Sequence, residues 1–435
     1  MSSIIKVNTV QDADGNNIIN ESGDVITVGA AGDTVTVAGN VVKSNALQAS
    51  DGGNVVSQSG TTITVGASGD TVALASGASQ TGFGSNPFKN IVINGDMRVA
   101  QRATSAASIT SDDYYTIDRF TTEIGSFGTW TQSQVSDAPT GQGYTYALKM
   151  DCTTAQGSPG SGNVMLIGQS IEGSMLQAIK QGTANAESTT LSFWHKHTKT
   201  GTNIVELLDA DNNNAVSGSY TQSVSDTWEK ATITFPANTS GTYDNDSARS
   251  LRIRFIIGSG TDYTSGTLAT TWQTSVTNAN RYAGQVNNAD STSNNFIITG
   301  VQYEVGTSAS DFEFLPLDIQ TQRCERYYET SMSYGTYGQY AGQQPIAGVG
   351  NSTYGGATSS AGGRQFRTWK RAAPTVTLYH QDGTSGGIYR IHDAQKTTGN
   401  VASHINQNGF LFATKSSGFN TGYYYYYGYT AESEL

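Results

Sequence analysis

The chain has 435 residues, of which 14% are charged and 36% are hydrophobic, and it contains 50 glycines and 23 tyrosines. Its net charge is −11, and it has no cluster of lysines and arginines of the kind that binds phosphate groups. This composition argues against nucleic acid and against an anionic membrane surface as partners. It predicts an all-β protein of two to four modules, with short strands joined by tight turns.

The N-terminal region contains an internal duplication. Residues 10–38 match residues 47–75 at a constant offset, so that Gly23 aligns with Gly60. Each unit predicts three short strands, in the first unit at residues 18–19, 25–28 and 34–37. Repeats of this kind bury their apolar faces only by stacking. We therefore predict a threefold bundle of identical chains over residues 1–86, with a flexible Gly/Ser-rich linker as the alternative.

The central region, residues 87–317, predicts an antiparallel sandwich of two sheets of the jelly-roll type. In its last strand, Gly300 indicates a bulge and Gly306 a turn. Alternation of apolar and polar residues predicts strands at residues 144–151, 189–197, 227–235, 250–257 and 296–305.

Two further segments complete the chain. Residues 318–330 lack glycine and proline and predict a helical connector of two to three turns. Residues 331–435 return to a β composition, and we interpret them as a C-terminal tip that binds a receptor.

Several runs resemble parts of bacteriophage tail fibre proteins. The runs FIITGVQYEVG at 296–306, FEFLP at 312–316 and QRCERYYE at 322–329 resemble, in this order, the strand that closes the β-sandwich of these fibres. The runs FKNIVINGDMRVAQR at 88–102 and YTIDRF at 115–120 resemble the opening of the same domain, which is similar to carbohydrate-binding modules.

Both ends of the chain extend this resemblance. Residues 1–86 resemble the start of tail fibres from phages of cyanobacteria and other marine bacteria, and residues 366–379 and 422–435 resemble strands at the far end of such fibres. The resemblance implies a homotrimeric virion protein that is made in the host cytoplasm. Its N-terminus would attach to an adaptor, nozzle or other tail-tube protein. Its C-terminus would bind a glycan or an outer-membrane receptor of a bacterial host.

Aromatic side chains are the candidate receptor-binding groups, because their faces stack on the C–H faces of sugar rings. In a strand, alternate residues of the run GYYYYYGY at 422–429 share one face, about 6.6 Å apart. The alternative is that one face of this strand packs on the trimer core. Two tryptophans lie in less regular, polar surroundings. The predicted receptor-binding residues are Tyr423, Tyr425, Tyr427, Tyr429, Trp130 and Trp272.

Known catalytic and metal-binding motifs are missing from the sequence. His195 and His197 have the spacing of one strand face, and we interpret them as a solvent-facing pair rather than as metal ligands. The run DADNNN at 209–214 favours a β-turn over a calcium loop, because it lacks glycine at the sixth position and glutamate at the twelfth. We therefore predict no catalytic residue, no metal site and no cofactor.

Alternative functions remain open at this point. A tailspike enzyme that depolymerises host polysaccharide would need paired acids, whose geometry is not local in sequence. A bacterial adhesin is a third possibility, against which the lack of a signal-like apolar run at the N-terminus counts. No window has 18 consecutive apolar residues, so membrane insertion is not expected. Cys152 and Cys324 are interpreted as buried, unpaired residues.

Overall fold

The central part of the chain, residues 88–332, is described without a break in a computed structural model. The chain divides into two compact units, 1–84 and 85–435, which we describe separately. Outside residues 88–332, the structure describes residues 9–11, 13, 17–22, 25–28, 46–48, 54–59, 62–65, 344–346, 352–354, 357–359, 361–380, 383–390, 395–397, 400–414 and 425–435.

The N-terminal unit contains two equivalent three-stranded antiparallel sheets. The first consists of β1 (Thr9–Gln11), β2 (Asn17–Ser22) and β3 (Val25–Val28), and the second of β4 (Ala46–Gln48), β5 (Asn54–Ser59) and β6 (Thr62–Val65). Each strand of the second sheet lies 37 positions after its counterpart, and the register shifts at the same place in β1 and β4. The duplication is thus also structural, while the predicted strand at 34–37 lies outside the described residues.

Eleven strands form a sandwich within residues 88–332. One sheet has the order β15-β12-β17-β10-β9-β7 and the other the order β14-β13-β16-β11-β8, with antiparallel pairing throughout. The strands are β7 (Ser105–Ile109), β8 (Thr121–Ile124), β9 (Thr129–Val135), β10 (Ala147–Thr154), β11 (Val164–Glu172), β12 (Thr189–His197), β13 (Gly201–Asp209), β14 (Asn214–Gln222), β15 (Glu229–Phe235), β16 (Arg249–Ser259) and β17 (Asn295–Val305).

The core of this sandwich lies between the two sheets. Along β15, Ala231, Ile233 and Phe235 are buried while Lys230 and Thr232 are exposed, which is the period of two expected for a half-buried strand. The same alternation brings the largest side chains of both sheets together, among them Trp130, Phe193, Phe235, Phe255, Phe296 and Tyr303. The prediction of an all-β protein with a β-sandwich is confirmed.

Gly300 forms the predicted bulge in β17. Its φ is +63°, in the left-handed region that favours glycine, and the register against β12 shifts between Ser192 and Trp194. A Cβ atom at this position would lie 2.6 Å from the Tyr144 ring. Glycine is therefore required both by the backbone conformation and by the packing of Tyr144 over the strand.

The prediction that His195 and His197 face solvent is wrong. Both side chains are buried, because β12 turns its odd-numbered residues towards the opposite sheet. His195 Nδ1 lies 2.8 Å from Gln222 Oε1, and His197 Nε2 lies 3.0 Å from the Tyr220 hydroxyl. The His197 ring also stacks on Phe296 with centroids 3.8 Å apart. The pair therefore belongs to the polar part of the core.

Because these histidines are buried, we expect the protein to lose stability in mild acid. Burial lowers the pKa of His195 and His197 below the ordinary value of 6.5, so the unfolded chain binds more protons than the folded one below that pH. Titration of these histidines should leave the free energy of unfolding unchanged above about pH 6.5 and lower it as the pH drops below that value. Urea unfolding between pH 7.5 and 5 measures this slope.

The variant His197→Gln is the control, and it should show a shallower slope than the parent. The comparison is needed because burial raises the pKa of Asp118 to about 6, which gives a dependence of opposite sign at lower pH. Equal slopes in parent and variant would contradict the assignment.

A long connection covers the outer face of the five-stranded sheet. It contains α1 (Thr261–Thr264) and a 3-10 turn, Asn278–Asn280, and it packs Tyr282 against Leu166, Ile204 and Ile256. Two more 3-10 turns, Gly173–Met175 and Gln177–Ile179, follow β11. Both cysteines are buried and unpaired, as predicted.

The helical connector predicted at residues 318–330 is a helix only over α2 (Leu317–Glu325), because Tyr328–Thr330 form a strand that pairs with the last strand of the chain. The helix docks on the sandwich. Cys324 and Tyr327 are buried against Ile93 and Val99. At the end of the helix, Arg326 binds Glu172 of β11 through two hydrogen bonds of 2.8 and 2.6 Å. The connector and the sandwich therefore belong to one compact unit, as do the residues that follow.

The C-terminal region is organised around its last strand, which pairs with four others. One side of this strand packs in a small core with Phe366, Leu378 and Phe410. The strands are β18 (Tyr328–Thr330), β19 (Gln344–Ile346), β20 (Ser352–Tyr354), β21 (Ala357–Ser359), β22 (Ala361–Gln365), β23 (Thr375–Tyr379), β24 (Ile388–Arg390), β25 (Gln395–Thr397), β26 (Asn400–Ser403), β27 (Gly409–Thr414) and β28 (Tyr425–Glu432).

Candidate functional site

The tryptophans predicted to contact a ligand occupy different environments. Trp130 is fully buried in the sandwich core, and its Nε1 donates to the Phe127 carbonyl at 2.9 Å. Without an exposed face it cannot stack on a sugar, so a packing role replaces the predicted one. Trp272 is half-buried, and its Nε1 donates to the Pro236 carbonyl at 2.8 Å. A ligand contact of Trp272 stays a prediction.

The tyrosine run is ordered by the alternation of β28. Tyr427 and Tyr429 are 4% and 0% exposed and lie in the C-terminal core, where the Tyr429 hydroxyl donates to Glu329. The predicted receptor-binding face is thus, for these two residues, a core face, and the prediction is corrected for them. Tyr423 lies outside the described residues. Tyr425 begins the strand, but its side chain is not described.

The other face of β28 lines a cavity of about 410 Å³, which we call the junction cavity. It lies where the C-terminal sheet meets the sandwich, and tyrosines, threonines and charged groups form its wall. The residues that line it are Arg102, Ala103, Asp113, Tyr114, Tyr115, Tyr328, Thr377, Tyr379, Thr430 and Glu432.

Strand pairing places the C-terminal half of this wall. Glu432 of β28 lies opposite Tyr328 of β18, and Thr430 lies opposite Thr377 of β23. Because alternate residues of a strand point to opposite faces, Thr430 and Glu432 face the cavity while Tyr429 faces the core. Burial of Tyr429 in the core therefore fixes which face of β28 forms this half of the wall.

The sandwich supplies the other half through the segments that flank β7. Tyr114 and Tyr115 are half-buried, and their hydroxyls donate to the Leu435 carbonyl at 3.1 Å and the Ser111 carbonyl at 2.8 Å. The Asp113 carboxylate accepts the Tyr114 backbone N–H at 2.7 Å. These bonds hold two aromatic rings beside a carboxylate at the wall of the cavity.

Arg102 joins the two halves. Its Nη2 lies 3.1 Å from Glu432 Oε1 and 3.3 Å from Glu434 Oε1. Its guanidinium carbon lies 3.8 Å from the Tyr328 ring centroid and 5.2 Å from that of Tyr114. The Nη1 atom is buried and has no hydrogen-bond partner among the described residues. The guanidinium therefore belongs to both halves of the wall and brings the positive charge to the cavity.

The charges of the cavity are set by the same contacts. Burial alone would lower the pKa of Arg102, but the carboxylates of Glu434, Asp118 and Glu432 outweigh it and raise that pKa, which keeps the guanidinium charged. Burial and Glu434 also raise the pKa of Tyr114, so its phenol stays protonated. The cavity presents one cation, two lining carboxylates and neutral phenols.

This wall suits a ligand with many hydroxyl groups and an apolar ring face. Tyrosine rings provide stacking surfaces, while Arg102 donates and the carboxylates of Asp113 and Glu432 accept hydrogen bonds. Four of the ten lining residues are tyrosines, and charged and hydroxyl groups are placed between them. Sequence reasoning quoted Tyr115 only as part of the run at 115–120 and did not predict a site there. Across the cavity, Glu432 of β28 meets Arg102, which lies 330 positions earlier in the sequence.

Other site types are not found in the described part of the chain. Among those residues, no group of three or more His, Cys, Asp and Glu side chains is placed to hold a metal ion. Neither described helix has the length and apolar composition to cross a bilayer.

No protein-family model matches the chain, and no curated protein matches it in sequence. Among solved structures, it is similar to the enzymatically active domain of tailspike protein 4 of bacteriophage CBA120, at 16% identity and a TM-score of 0.27. That match covers 51% of this chain and 22% of the other.

The chain is also similar to carbohydrate-binding modules. TmCBM61 in complex with β-1,4-galactotriose matches at 10% identity and a TM-score of 0.24, over 50% of this chain and 99% of that one. The family 11 module from Clostridium thermocellum, in complex with a mixed-linked tetrasaccharide, matches at 12% identity and a TM-score of 0.25, over 47% and 99%. These likenesses are too weak to carry a functional argument.

Proposed function

We propose that this protein is a homotrimeric bacteriophage tail fibre that binds a glycan of the bacterial surface in the junction cavity. The observation that carries the binding proposal is the cavity wall itself. It combines four tyrosines with an arginine and two carboxylates. The fibre assignment rests on the sequence runs that resemble tail fibres. In the fibre, residues 1–86 attach to the tail, and the protein is part of the virion.

Replacement of Tyr114 by alanine tests the glycan site. The variant removes a stacking surface and should weaken glycan binding and host adsorption about ten- to hundredfold, as for an aromatic hot spot. Tyr114→Phe keeps the ring and should retain most of the affinity. Tyr263→Ala removes a half-buried tyrosine that stacks on Tyr282 elsewhere on the sandwich, and it should have no effect. Glycan arrays followed by calorimetry measure these affinities.

Two results would contradict the proposal. The first is unchanged adsorption by a folded Tyr114→Ala variant, and the second is a loss of equal size in Tyr263→Ala. A failure of every surface glycan to bind would turn the search towards a protein receptor.

We propose binding without cleavage, although two carboxylates line the cavity. Glu432 pairs with Arg102 at 3.1 Å, so this carboxylate is already engaged as a hydrogen-bond acceptor. The alternative is a polysaccharide-cleaving tailspike, which would use Asp113 and Glu432 as its pair of acids. Incubation with host polysaccharide should release no reducing ends. Release that is abolished in Asp113→Asn and Glu432→Gln would establish the enzyme instead.

Exposed apolar side chains support association of the chains. Phe88, Phe314 and Leu317 are all exposed, and the Phe88 N–H donates to Glu313, the residue before Phe314. Phe88 is near the first residue of its unit, Ser85. A second and a third copy of the chain would cover these exposed side chains.

Light scattering on the purified chain tests the oligomer. The expected mass is about three times the 45.9 kDa of one chain. A trimer would present three identical cavities, and the gain from simultaneous binding can reach about 10² to 10⁴ over one site. A monodisperse monomer would refute the fibre proposal but would leave glycan binding in the cavity intact.

A further inference from the structure

A second concave site lies on the three-stranded sheet β22-β27-β26, and it shares no residue with the junction cavity. This groove has a volume of about 670 Å³. Its wall comes from the end of β22, the start of β27 and the turn between β26 and β27. The polar residues that line it are Arg364, Gln365, His404, Asn406 and Asn408.

The groove differs from the rest of the protein in its charge. The chain carries a net charge of −11, yet the described residues that line the groove include an arginine and a histidine and no carboxylate. Arg364 takes part in no ion pair among the described residues, and its buried Nε has no hydrogen-bond partner there. Arg102 of the junction cavity, in contrast, pairs with Glu432 and Glu434. The guanidinium of Arg364 lies over the Tyr429 ring, and no carboxylate among the described residues pairs with its charge.

The groove also offers neutral hydrogen-bonding groups. The Asn406 carboxamide oxygen accepts the backbone N–H groups of Asn408 and Gly409 at 2.8 and 3.1 Å. With its oxygen occupied, this amide has its NH₂ group left as a donor, and Gln365 and Asn408 add two exposed amides. Several planar amides beside one guanidinium can bind hydroxyl groups and a carboxylate at the same time.

An exposed tryptophan flanks the groove. The Trp369 side chain is 66% exposed, the largest exposed fraction among the large apolar side chains that the structure describes. It lies beside the turn that carries Asn406 and Asn408, because the Lys370 N–H donates to the Gln407 carbonyl at 2.9 Å. An exposed indole beside this turn provides a stacking surface for a sugar ring.

We propose that this groove binds an acidic sugar, a pyranose that carries a carboxylate. Arg364 binds the carboxylate through its guanidinium charge, the amides bind ring hydroxyls, and Trp369 stacks on the ring. The site goes beyond the glycan site proposed above and does not depend on it. A fibre with both sites would bind two chemically different parts of one surface polysaccharide.

A panel of monosaccharides tests this on the full-length protein. The acids are glucuronic, galacturonic and sialic acid, and the neutral partners are glucose and galactose. At low salt, the best acid should bind at least about tenfold more tightly than its neutral partner, in line with one charge-assisted contact. Raising the ionic strength to about 0.5 M should weaken this binding severalfold. Tryptophan fluorescence reports binding, and Trp369→Phe should reduce the signal.

Variants locate the site. Arg364→Gln should lose the preference for acids, and Arg364→Lys should recover part of it, because lysine keeps the charge without the planar fork. Since Arg364 lies over the Tyr429 ring, thermal unfolding of each variant verifies the fold. Gln365→Ala, at an exposed position, gives a second probe with an expected loss of a few-fold. Tyr263→Ala, away from both cavities, should leave acid binding unchanged.

Three outcomes would overturn the proposal. Neutral sugars that bind as well as the acids would remove the role of charge. Inorganic phosphate that binds as tightly as the best acid would show an anion site without sugar recognition. Finally, acid binding that persists in both Arg364→Gln and Gln365→Ala, or a failure of every acid in the panel to bind, would show that acidic sugars do not bind in this groove.

Discussion

Lys370→Met is expected to lower the free energy of unfolding by about 3–5 kcal/mol, because it leaves a buried carboxylate without its counter-charge. Lys370 and Glu329 are both fully buried, and their charged groups lie 2.6 Å apart. Glu329 also accepts the Tyr429 hydroxyl at 2.5 Å, so the loss would reach the core side of β28. Urea unfolding monitored by tyrosine and tryptophan fluorescence measures the effect.

A surface pair is the matched control for this change. Lys180 and Glu187 lie 2.8 Å apart, but both side chains are about half exposed. Lys180→Met should therefore cost no more than about 1 kcal/mol. A loss in Lys370→Met as small as in this control would show that the buried pair does not hold the C-terminal sheet. A double variant with Glu329→Gln should recover part of the loss, since it removes the unpaired charge.

Glu434→Gln is expected to cost about 3 kcal/mol and to weaken glycan binding in the junction cavity. Glu434 is an ion-pair partner of both Arg119 and Arg102. Arg119 is buried, and its guanidinium carbon lies 3.4 Å from the Tyr327 ring centroid, so an uncharged partner would leave a buried cation without compensation. Arg102 would lose one of the two carboxylates that hold it at the cavity wall.

Glu432→Gln is the control, because Glu432 shares the partner Arg102 but is 44% exposed against 5% for Glu434. It should reduce stability by less than about 1 kcal/mol. Both variants should reduce glycan affinity, Glu432→Gln by direct contact and Glu434→Gln through the position of Arg102. If Glu434→Gln left stability and affinity unchanged, the C-terminal tail would not be the link between the sandwich and the cavity.

The Lys370–Glu329 pair and the ion pairs of Glu434 explain how a small sheet can position a binding site. Among the described residues, the C-terminal sheet has a core of only a few side chains. The ion pair of Arg119 and Glu434 anchors it to the sandwich, and Lys370, which pairs with Glu329, also donates to the Glu325 carbonyl at the end of α2. Arg371 adds hydrogen bonds to the Ser433 and Glu434 carbonyls at 2.8 and 2.9 Å. Because both halves of the junction cavity are held by these contacts, a ligand in the cavity should stabilise the docked arrangement.

Much of the candidate site could not be predicted from the sequence. The tyrosine run drew attention to β28, but the face chosen there is buried at Tyr427 and Tyr429. A strand pattern gives two faces and does not say which one meets a core when aromatic residues lie on both. Trp130 was misjudged for a related reason, since its polar neighbours along the chain are not its neighbours across the sandwich.

The sequence by itself determined what depends on neighbouring residues. The 37-residue duplication, the strand at Thr189–His197 and the bulge at Gly300 follow from local periodicity and from the conformational freedom of glycine. Only the tertiary structure decided that His195 and His197 are buried and that Arg102 meets Glu432 across 330 positions. Contacts between residues so far apart depend on which strands pair and how the sheets stack, and no local pattern encodes that choice.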